Sequence, residues 1–213
     1  MNNRFGSAEK ACFLGIDRHR IGRDGDGVTT LVAFWGCPLK CQYCLNPQCN
    51  RPDAKCEYLT PQELLSRVAI DNLYFLATNG GITFGGGEPC LNSLFIEKFY
   101  DIANRNWAFN FETSLNVDFA HVERLLPFAS QFIIDIKDVD SDIYKAYTKT
   151  SNIHVLENLE KMSELGMQSK CLIRVPQIPG YNTPNDIEKS ISYLKGLGYD
   201  NFDVFEYQID INK

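Results

Sequence analysis

Short apolar runs alternate with amphipathic stretches along most of this chain, and this alternation is what most constrains its fold. It is typical of successive strand–helix units that build a parallel sheet. About six such units are present. The predicted strands cover residues 30–34, 81–84, 109–113, 132–136, 170–175 and 202–207.

The stretches between the predicted strands begin with helix start signals. Thr60 offers an N-cap hydroxyl, Pro61 suits the first helical position, and Glu63 can close a capping box. The segment that begins at Thr183 repeats this pattern. Three further N-caps and their helices are predicted from side-chain type and periodicity: Asn92 before 93–104, Asp118 before 119–126, and Asn152 before 153–165.

Length and apolar content predict one domain that spans residues 1–213. The chain has 213 residues and 44% apolar side chains, which is enough to bury a substantial core. A closed (β/α)8 barrel typically takes about 250 residues. Six units therefore predict an α/β fold with a partial, open (β/α)6 barrel. In such folds, ligands bind at the C-terminal ends of the parallel strands.

Charge and hydropathy indicate which partners and which cellular compartment to expect. The formal charge is -6 and no block of Lys or Arg is present, which disfavours nucleic acid as the main partner. No run approaches the roughly 20 apolar residues of a membrane span, and the N-terminus has no secretion signal. We therefore expect a cytoplasmic protein with no membrane partner. Its eight cysteines are then expected to stay reduced and to serve metals or catalysis.

Three cysteines, Cys37, Cys41 and Cys44, lie within eight residues directly after the first predicted strand. Cysteine thiolates are the usual ligands of iron–sulfur clusters, and a four-iron cluster ordinarily takes four of them. Three thiols leave one iron open to an exogenous ligand. The alternative is a closed zinc site, completed by Cys49, Cys56 or a histidine.

A run of glycines follows the second predicted strand and precedes a helix, at Gly85, Gly86 and Gly87, with Glu88 directly after it. Glycines at a strand end allow the backbone to approach a ligand and to offer amide and carbonyl groups. Alone, the run would favour an ordinary glycine turn. Next to the cysteine loop, it favours a ligand site.

The cysteine loop and the glycine run together resemble the motifs of the radical S-adenosylmethionine (SAM) superfamily. The resemblance implies that Cys37, Cys41 and Cys44 bind a 4Fe-4S cluster. It places Tyr43 at the adenine contact. By the same resemblance, the motif of Gly86, Gly87 and Glu88 binds the methionyl amine of SAM.

Within that superfamily, the chain is similar to the family of the pyruvate formate-lyase activating enzyme, whose members activate glycyl radical enzymes. Four further segments carry the similarity, namely 24–27, 33–37, 135–137 and 174–180. Two segments depart from the family pattern. Gln208 stands where the activators often have a histidine, and residues 112–115 read Glu-Thr-Ser-Leu in place of Asp-Thr-Asn-Gly. Thr113 of that segment remains a predicted cofactor contact.

The resemblance also implies a mechanism. SAM is cleaved reductively to methionine and a 5'-deoxyadenosyl radical, which abstracts hydrogen from a substrate. Asp135 and Lys137 have the period-two spacing that points both side chains to one side of a strand. Aspartate suits a ribose hydroxyl and lysine a carboxylate, although a solvated salt bridge is the alternative. Arg174 is a further predicted contact, with a structural ion pair as its alternative.

The remaining cysteines are less informative. Cys49 and Cys56 are interpreted as incidental reduced thiols, with a contribution to an auxiliary cluster as the alternative. Cys90 is interpreted as a small buried thiol near the site. Cys12 and Cys171 are interpreted as packing residues.

Three functions are compatible with these patterns. The first is a radical SAM enzyme that installs a glycyl radical on a partner glycyl radical enzyme under anaerobic conditions. The second keeps the radical chemistry but modifies a peptide or a small metabolite. The third is a non-catalytic iron–sulfur or zinc-binding module. The resemblance implies a flavodoxin or ferredoxin as electron donor, and we expect a monomer.

Overall fold

The strands of the chain form one mixed sheet. The computed structural model describes residues 8–207. The strands in this range are β1 (Ala11–Ile21), β2 (Val28–Phe34), β3 (Glu57–Leu59), β4 (Gly81–Gly86), β5 (Ala108–Thr113), β6 (Gln131–Asp135), β7 (Cys171–Gln177) and β8 (Phe202–Glu206). Their order across the sheet is β3-β1-β2-β4-β5-β6-β7-β8.

The six predicted strands are confirmed. They correspond to β2 and to β4 through β8, and each end lies within two residues of its prediction. Every neighbouring pair among them is parallel. The fold is therefore the partial barrel expected from the repeating units. Sequence patterns missed β1 and β3, which extend the sheet in antiparallel fashion beyond β2.

Helices fill the connections between the parallel strands. Within the described range they are α1 (Pro61–Val68), α2 (Asn72–Thr78), α3 (Ser93–Ile102), α4 (Phe119–Glu123), α5 (Ser141–Thr148), α6 (Ile153–Glu164) and α7 (Pro184–Gly196). None of these helices has the length and apolar character needed to cross a membrane.

Two predicted capping boxes are confirmed. At the start of α1, Thr60 Oγ1 accepts the Glu63 N–H at 3.2 Å, and Glu63 Oε2 accepts the Thr60 N–H at 2.7 Å. At the start of α7, Asp186 Oδ2 accepts the Thr183 N–H at 3.1 Å. Each box pairs backbone donors that have no partner within the helix itself.

The other three predicted caps are wrong in their chemistry. Helices α3, α4 and α6 do follow Asn92, Asp118 and Asn152, but none of these side chains makes a capping hydrogen bond. Asn152 instead donates to the Val139 carbonyl at 2.8 Å. All three helices also end earlier than predicted, at Ile102, Glu123 and Glu164.

Aromatic side chains from neighbouring strands form the centre of the core. Phe84 on β4 lies 5.8 Å from both Phe34 and Phe111, measured between ring centroids. Phe99 on α3 packs edge-on against Phe84, also at 5.8 Å. All four rings are fully buried. This cluster joins the sheet to its covering helix directly beneath the ends of β2 and β4.

Replacing Phe84 with alanine tests the importance of this cluster. Phe84→Ala removes a buried ring with neighbours on two strands and a helix, so we expect a loss of about 3–5 kcal/mol in the free energy of unfolding. Denaturant titration followed by circular dichroism measures it. The matched control is Leu73→Ala on α2, whose side chain is 77% exposed and whose loss should stay within about 0.5 kcal/mol. Equal effects of the two changes would contradict this description of the core.

Candidate active site

The cysteine loop follows β2 and leads to one side of a cavity of about 610 Å³. Cys37, Cys41 and Cys44 all line this cavity, and each is partly exposed. Two backbone hydrogen bonds tie the loop to the end of α5: Lys40 N–H donates to the Thr148 carbonyl at 2.9 Å, and Gln42 N–H to the Tyr147 carbonyl at 3.2 Å. The structure thus brings the three predicted cluster ligands to one surface.

The glycine run at the end of β4 packs directly against the start of the cysteine loop. Gly87 N–H donates to the Phe34 carbonyl at 2.9 Å, and Glu88 N–H donates to the Gly36 carbonyl at 2.7 Å. A Cβ on residue 87 would lie 2.2 Å from the Gly36 oxygen. Gly86 has φ +85°, and a Cβ there would lie 2.7 Å from the Ala33 side chain. Positions 86 and 87 therefore need glycine so that the two loops can lie in contact.

Gly86, Gly87 and Glu88 also line the cavity, as the ligand prediction requires. Asn46, which sequence patterns did not single out, donates from Nδ2 to the Gly86 carbonyl at 3.3 Å. This bond connects the segment after Cys44 to the glycine run. The two motifs therefore form one continuous wall of the cavity.

The Glu88 carboxylate is buried and accepts four hydrogen bonds from the protein. Oε1 accepts the Thr113 hydroxyl at 2.6 Å and the Cys90 N–H at 3.2 Å. Oε2 accepts the Ser114 N–H at 2.9 Å and the Ser114 hydroxyl at 2.7 Å. Glu88 therefore fixes the segment after β5 to the glycine run. Cys90 lies fully buried beneath it, as expected, and burial raises the pKa of its thiol.

Asp135 and Lys137 lie at the end of β6 and line the same cavity. Lys137 Nζ donates to Asp135 Oδ2, so the predicted pair exists. Burial of the ammonium group opposes its charge, but Asp135, Cys41 and Tyr207 together outweigh burial, and the pKa of Lys137 is raised. The second oxygen, Asp135 Oδ1, is buried and has no hydrogen-bond partner among the described residues. An unsatisfied acceptor of this kind fits a site that takes a polar ligand.

Arg174 on β7 lies on the cavity wall in an ion-pair network. Its Nη1 donates to Glu112 Oε1 at 2.9 Å, its Nη2 donates to the Arg23 carbonyl at 2.5 Å, and its Nε lies 3.7 Å from Asp203 Oδ2. Burial raises the pKa of Glu112, an effect that Arg174 opposes. The ion-pair alternative for Arg174 therefore exists in the structure.

Tyrosines form the rim of the cavity near the cysteine loop. Four tyrosine rings contact one another there, with 5.0–6.4 Å between the centroids of contacting rings: Tyr43, Tyr147, Tyr181 and Tyr207. Tyr207 Oη donates to the Tyr43 carbonyl at 2.6 Å. Tyr147 and Tyr207 line the cavity, and Tyr43 is not among its lining residues. Sequence patterns had singled out Tyr43 alone.

Gln208, which stands in the place of the activators' histidine, lies outside the described residues. Its neighbour Tyr207 is the last residue described and reaches the tyrosine rim.

Two of the other cysteines correct the sequence interpretation. Cys12 on β1 and Cys56 just before β3 form a disulfide, so they are not reduced thiols as predicted. The antiparallel pairing of β1 with β3, in which Cys12 lies opposite Tyr58, brings them together. Cys171 is a buried packing residue, as expected, and burial raises the pKa of its thiol to about 12.

Cys49 lies against the cluster cysteines. The neighbouring thiols of Cys37 and Cys44, together with burial, raise the pKa of the Cys49 thiol. Cys49 is in turn the main cause that lowers the pKa of Cys44 to about 6. Burial raises the pKa of Cys41 to about 12. Sequence patterns gave Cys49 no defined role in this loop.

The donor set of the cavity fits a cluster of several metal atoms. Within residues 8–207, no three His, Cys, Asp or Glu side chains converge closely enough to bind a single metal ion. A four-iron cluster takes its thiolates at separate corners and needs no such convergence. Three cysteines that line one cavity with the charged pair of Asp135 and Lys137 match a cluster together with a polar ligand.

Comparison with known proteins decides the family. The model of the radical SAM superfamily matches residues 32–194, which is most of the chain. The chain belongs to the radical SAM superfamily. It is a radical SAM enzyme, and this membership implies a 4Fe-4S cluster and SAM as its cofactors.

Relatives with named activities are activating enzymes. The chain is 29% identical to the pyruvate formate-lyase-activating enzyme of Staphylococcus aureus, over 89% of this chain and 79% of that protein. It is 27% identical to the (2S)-3-sulfopropanediol dehydratase activating enzyme of Klebsiella oxytoca, over 79% of this chain and 72% of that protein. The predicted similarity to the activating enzymes is confirmed.

Solved structures agree in fold. SuiB of Streptococcus suis bound to the precursor peptide SuiA has a TM-score of 0.63 at 13% identity, and the match covers 83% of this chain and 38% of SuiB. TYW1 with a lysine-pyruvate adduct has a TM-score of 0.59 at 15% identity, and the match covers 87% of this chain and 66% of TYW1. Both likenesses concern the shared partial barrel.

Replacing Gly87 tests the contact between the two loops. In Gly87→Ala, the added methyl group meets the Gly36 carbonyl, which is backbone and cannot rotate away. We expect a loss of about 1–3 kcal/mol in the free energy of unfolding, together with a lower iron content after anaerobic reconstitution. The control is Gly15→Ala, where a Cβ meets nothing within 4 Å. Unchanged stability and iron content in Gly87→Ala would refute the role of this contact.

Replacing Glu88 tests its role as a hydrogen-bond acceptor. Glu88→Ala leaves the buried Thr113 hydroxyl and the partly buried donors of Ser114 without their acceptor, so we expect a loss of at least about 2 kcal/mol in the free energy of unfolding. Glu88→Gln keeps the shape and one strong acceptor and should lose less. The exposed Glu123→Ala serves as control. The idea fails if Glu88→Ala is as stable as the wild-type protein in denaturant titration.

Proposed function

We propose that this radical SAM enzyme cleaves SAM reductively and abstracts hydrogen from the glycine of a partner glycyl radical enzyme. One observation carries the proposal: three cysteines, a glycine run and the pair of Asp135 and Lys137 line the same cavity at the C-terminal edge of the sheet. The two activating-enzyme relatives, aligned over most of their length, support the choice of acceptor.

In this proposal, Cys37, Cys41 and Cys44 hold the 4Fe-4S cluster and leave one iron without a protein ligand. When bound, the cluster and SAM supply a one-electron cleavage that gives methionine and a 5'-deoxyadenosyl radical. The protein's part is to orient the nucleotide and to exclude side reactions. The cavity is within the size range of ligand sites, which is roughly 300–1,000 Å³.

The remaining cavity residues are proposed to position SAM. Gly86 and Gly87 present backbone groups to its methionyl amine, with Glu88 holding that backbone in place. Lys137, raised in pKa and buried, is suited to the SAM carboxylate. Asp135 Oδ1 is suited to a ribose hydroxyl, because it is an acceptor without a partner in the described structure.

Three further contacts complete the proposed site. Thr113 lies on the glycine-run side, where its hydroxyl already donates to Glu88. Arg174 contributes positive charge from the opposite wall while it holds Glu112. Tyr43 contributes to the adenine pocket from the tyrosine rim. The proposed enzyme acts as a monomer, and its electron comes from a small flavodoxin or ferredoxin.

A test for 5'-deoxyadenosine examines the SAM chemistry. After anaerobic reconstitution with iron and sulfide, the wild-type protein should form 5'-deoxyadenosine on addition of SAM and dithionite. Cys41→Ala should lose both the visible absorbance of the cluster and the product. Cys171→Ala, which removes a buried thiol away from the cavity, should keep both. Product formation by Cys41→Ala equal to that of the wild type would disprove the assigned site.

Electron paramagnetic resonance (EPR) examines the acceptor. The reduced, SAM-loaded enzyme is mixed with each glycyl radical enzyme encoded in the same genome, and we expect a stable glycyl radical on one of them. A variant of that acceptor with alanine at the radical glycine should remain silent. If 5'-deoxyadenosine forms but no acceptor becomes radical-bearing, the substrate is a peptide or small metabolite and the proposed acceptor is wrong.

A further inference from the structure

Three exposed lysines lie on and beside the cysteine loop. Lys40 belongs to the loop itself, between the proposed ligands Cys37 and Cys41. Lys145 lies in the last turn of α5, and Lys149 directly follows that helix. We call these three residues the lysine face. None of them lines the cavity, so the lysine face lies outside the site proposed for SAM.

Backbone hydrogen bonds hold these lysines close together. The Lys40 N–H donates to the Thr148 carbonyl at 2.9 Å, so this loop residue lies beside the last residue of α5. The Lys149 N–H donates to the Lys145 carbonyl at 2.9 Å, which places these two residues one helical turn apart. The cysteine loop and the end of α5 therefore present their lysines on one local surface.

The charge of the lysine face is not neutralised by carboxylates. Among residues 8–207, none of its three ammonium groups forms an ion pair, and that of Lys149 donates to the Ala146 carbonyl at 2.6 Å. The one carboxylate of α5, Asp142, lies in its first turn. Like charges one turn apart slightly destabilise a helix, so stability does not account for this arrangement. Three cations are thus concentrated in a chain whose formal charge is -6.

The proposed reaction needs a partner protein close to the cluster ligands. Reductive cleavage of SAM consumes one electron, and electron transfer between proteins slows steeply with distance. In the proposed function, SAM and the substrate occupy the cavity, so the electron donor has to dock elsewhere. The lysine face meets this requirement, because Lys40 directly precedes the ligand Cys41 and lies outside the cavity.

We propose that the lysine face is the docking surface for the protein that delivers this electron, a small electron-transfer protein with an acidic surface. The donor is oxidised by one electron, and the sulfonium of SAM takes it up as a carbon–sulfur bond breaks to give methionine and the 5'-deoxyadenosyl radical. This inference rests on the proposed function, because only a reductive reaction needs such a donor. Complementary charge steers the encounter and fixes its orientation while little area is buried, as in other transient electron-transfer complexes.

Charge reversal combined with two reductants tests this inference. The rate of 5'-deoxyadenosine formation by the reconstituted enzyme is measured with limiting reduced flavodoxin, a small acidic electron-transfer protein, and separately with dithionite. Lys145→Glu/Lys149→Glu should lower the flavodoxin-driven rate about tenfold at low salt and leave the dithionite-driven rate unchanged. Lys145→Arg/Lys149→Arg keeps the charge and should keep both rates. Lys195→Glu, an exposed position at the end of α7, is the matched control and should also keep both rates.

A binding titration gives a readout that does not depend on turnover. Isothermal titration calorimetry with oxidised flavodoxin should give a dissociation constant about tenfold weaker for the double glutamate variant than for the wild-type protein or the double arginine variant. The difference should shrink as the salt concentration rises, because salt screens exposed charges.

Three results would overturn the inference. The lysine face does not bind the donor if the double glutamate variant keeps the wild-type rate and affinity with flavodoxin. It supports the cluster or the fold instead if the dithionite-driven rate falls by the same factor. It contacts the acceptor enzyme instead if, with dithionite, 5'-deoxyadenosine forms normally but the glycyl radical signal in EPR falls. A wild-type protein that forms no 5'-deoxyadenosine with dithionite counts against the proposed function, and the binding titration still decides whether this surface docks the donor.

Discussion

The site depends on one backbone contact between two loops, in which Gly87 and Glu88 donate to the carbonyls of Phe34 and Gly36. The contact continues the parallel pairing of β2 with β4 past the ends of the strands. It is short because residue 87 has no side chain. The cysteine loop and the glycine run, which are some 40 residues apart in sequence, become adjacent at the edge of the sheet where parallel strands place their binding loops.

The polar groups around the cavity are of two kinds, those whose hydrogen bonds are satisfied within the protein and those that are not. Those that hold the walls together are already satisfied: Glu88 accepts four hydrogen bonds, and Arg174 pairs with Glu112. Asp135 differs because one of its carboxylate oxygens accepts a hydrogen bond from Lys137, whereas the other has no hydrogen-bond partner in the described structure. Preorganised walls with a few unsatisfied groups are what a ligand-binding site requires.

The sequence predicts parallel strands such as β4 and β6 well because most of their residues are buried and form short apolar runs between turn residues. It misses β1 because no apolar run continues beyond the first few residues of that strand, and Asp17, Arg18 and Arg20 occupy its second half. It misses β3 because three residues are too few to form a pattern. Asn92, Asp118 and Asn152 mark helix starts correctly, but tertiary contacts determine what their side chains bind.

The motif residues Cys37, Cys41, Cys44 and Gly86 to Glu88 were predictable because their spacing is local. The partners of the other cysteines were not. Cys12 meets Cys56 through the pairing of two strands that the sequence did not reveal. Cys49 meets Cys37 and Cys44 because the chain turns back through a 3-10 helix. Likewise, Tyr147 and Tyr207 reach the cavity from distant elements, and only the packed fold brings them to it.

The central claim is that three protein thiolates leave one iron of the cluster open to SAM. Electron–nuclear double resonance on the reduced, reconstituted protein tests it most directly, with SAM isotopically labelled in its amino nitrogen and carboxylate oxygen. The account predicts that both labels couple to the cluster as atoms bound to iron. A cluster signal without coupling to either label would contradict it.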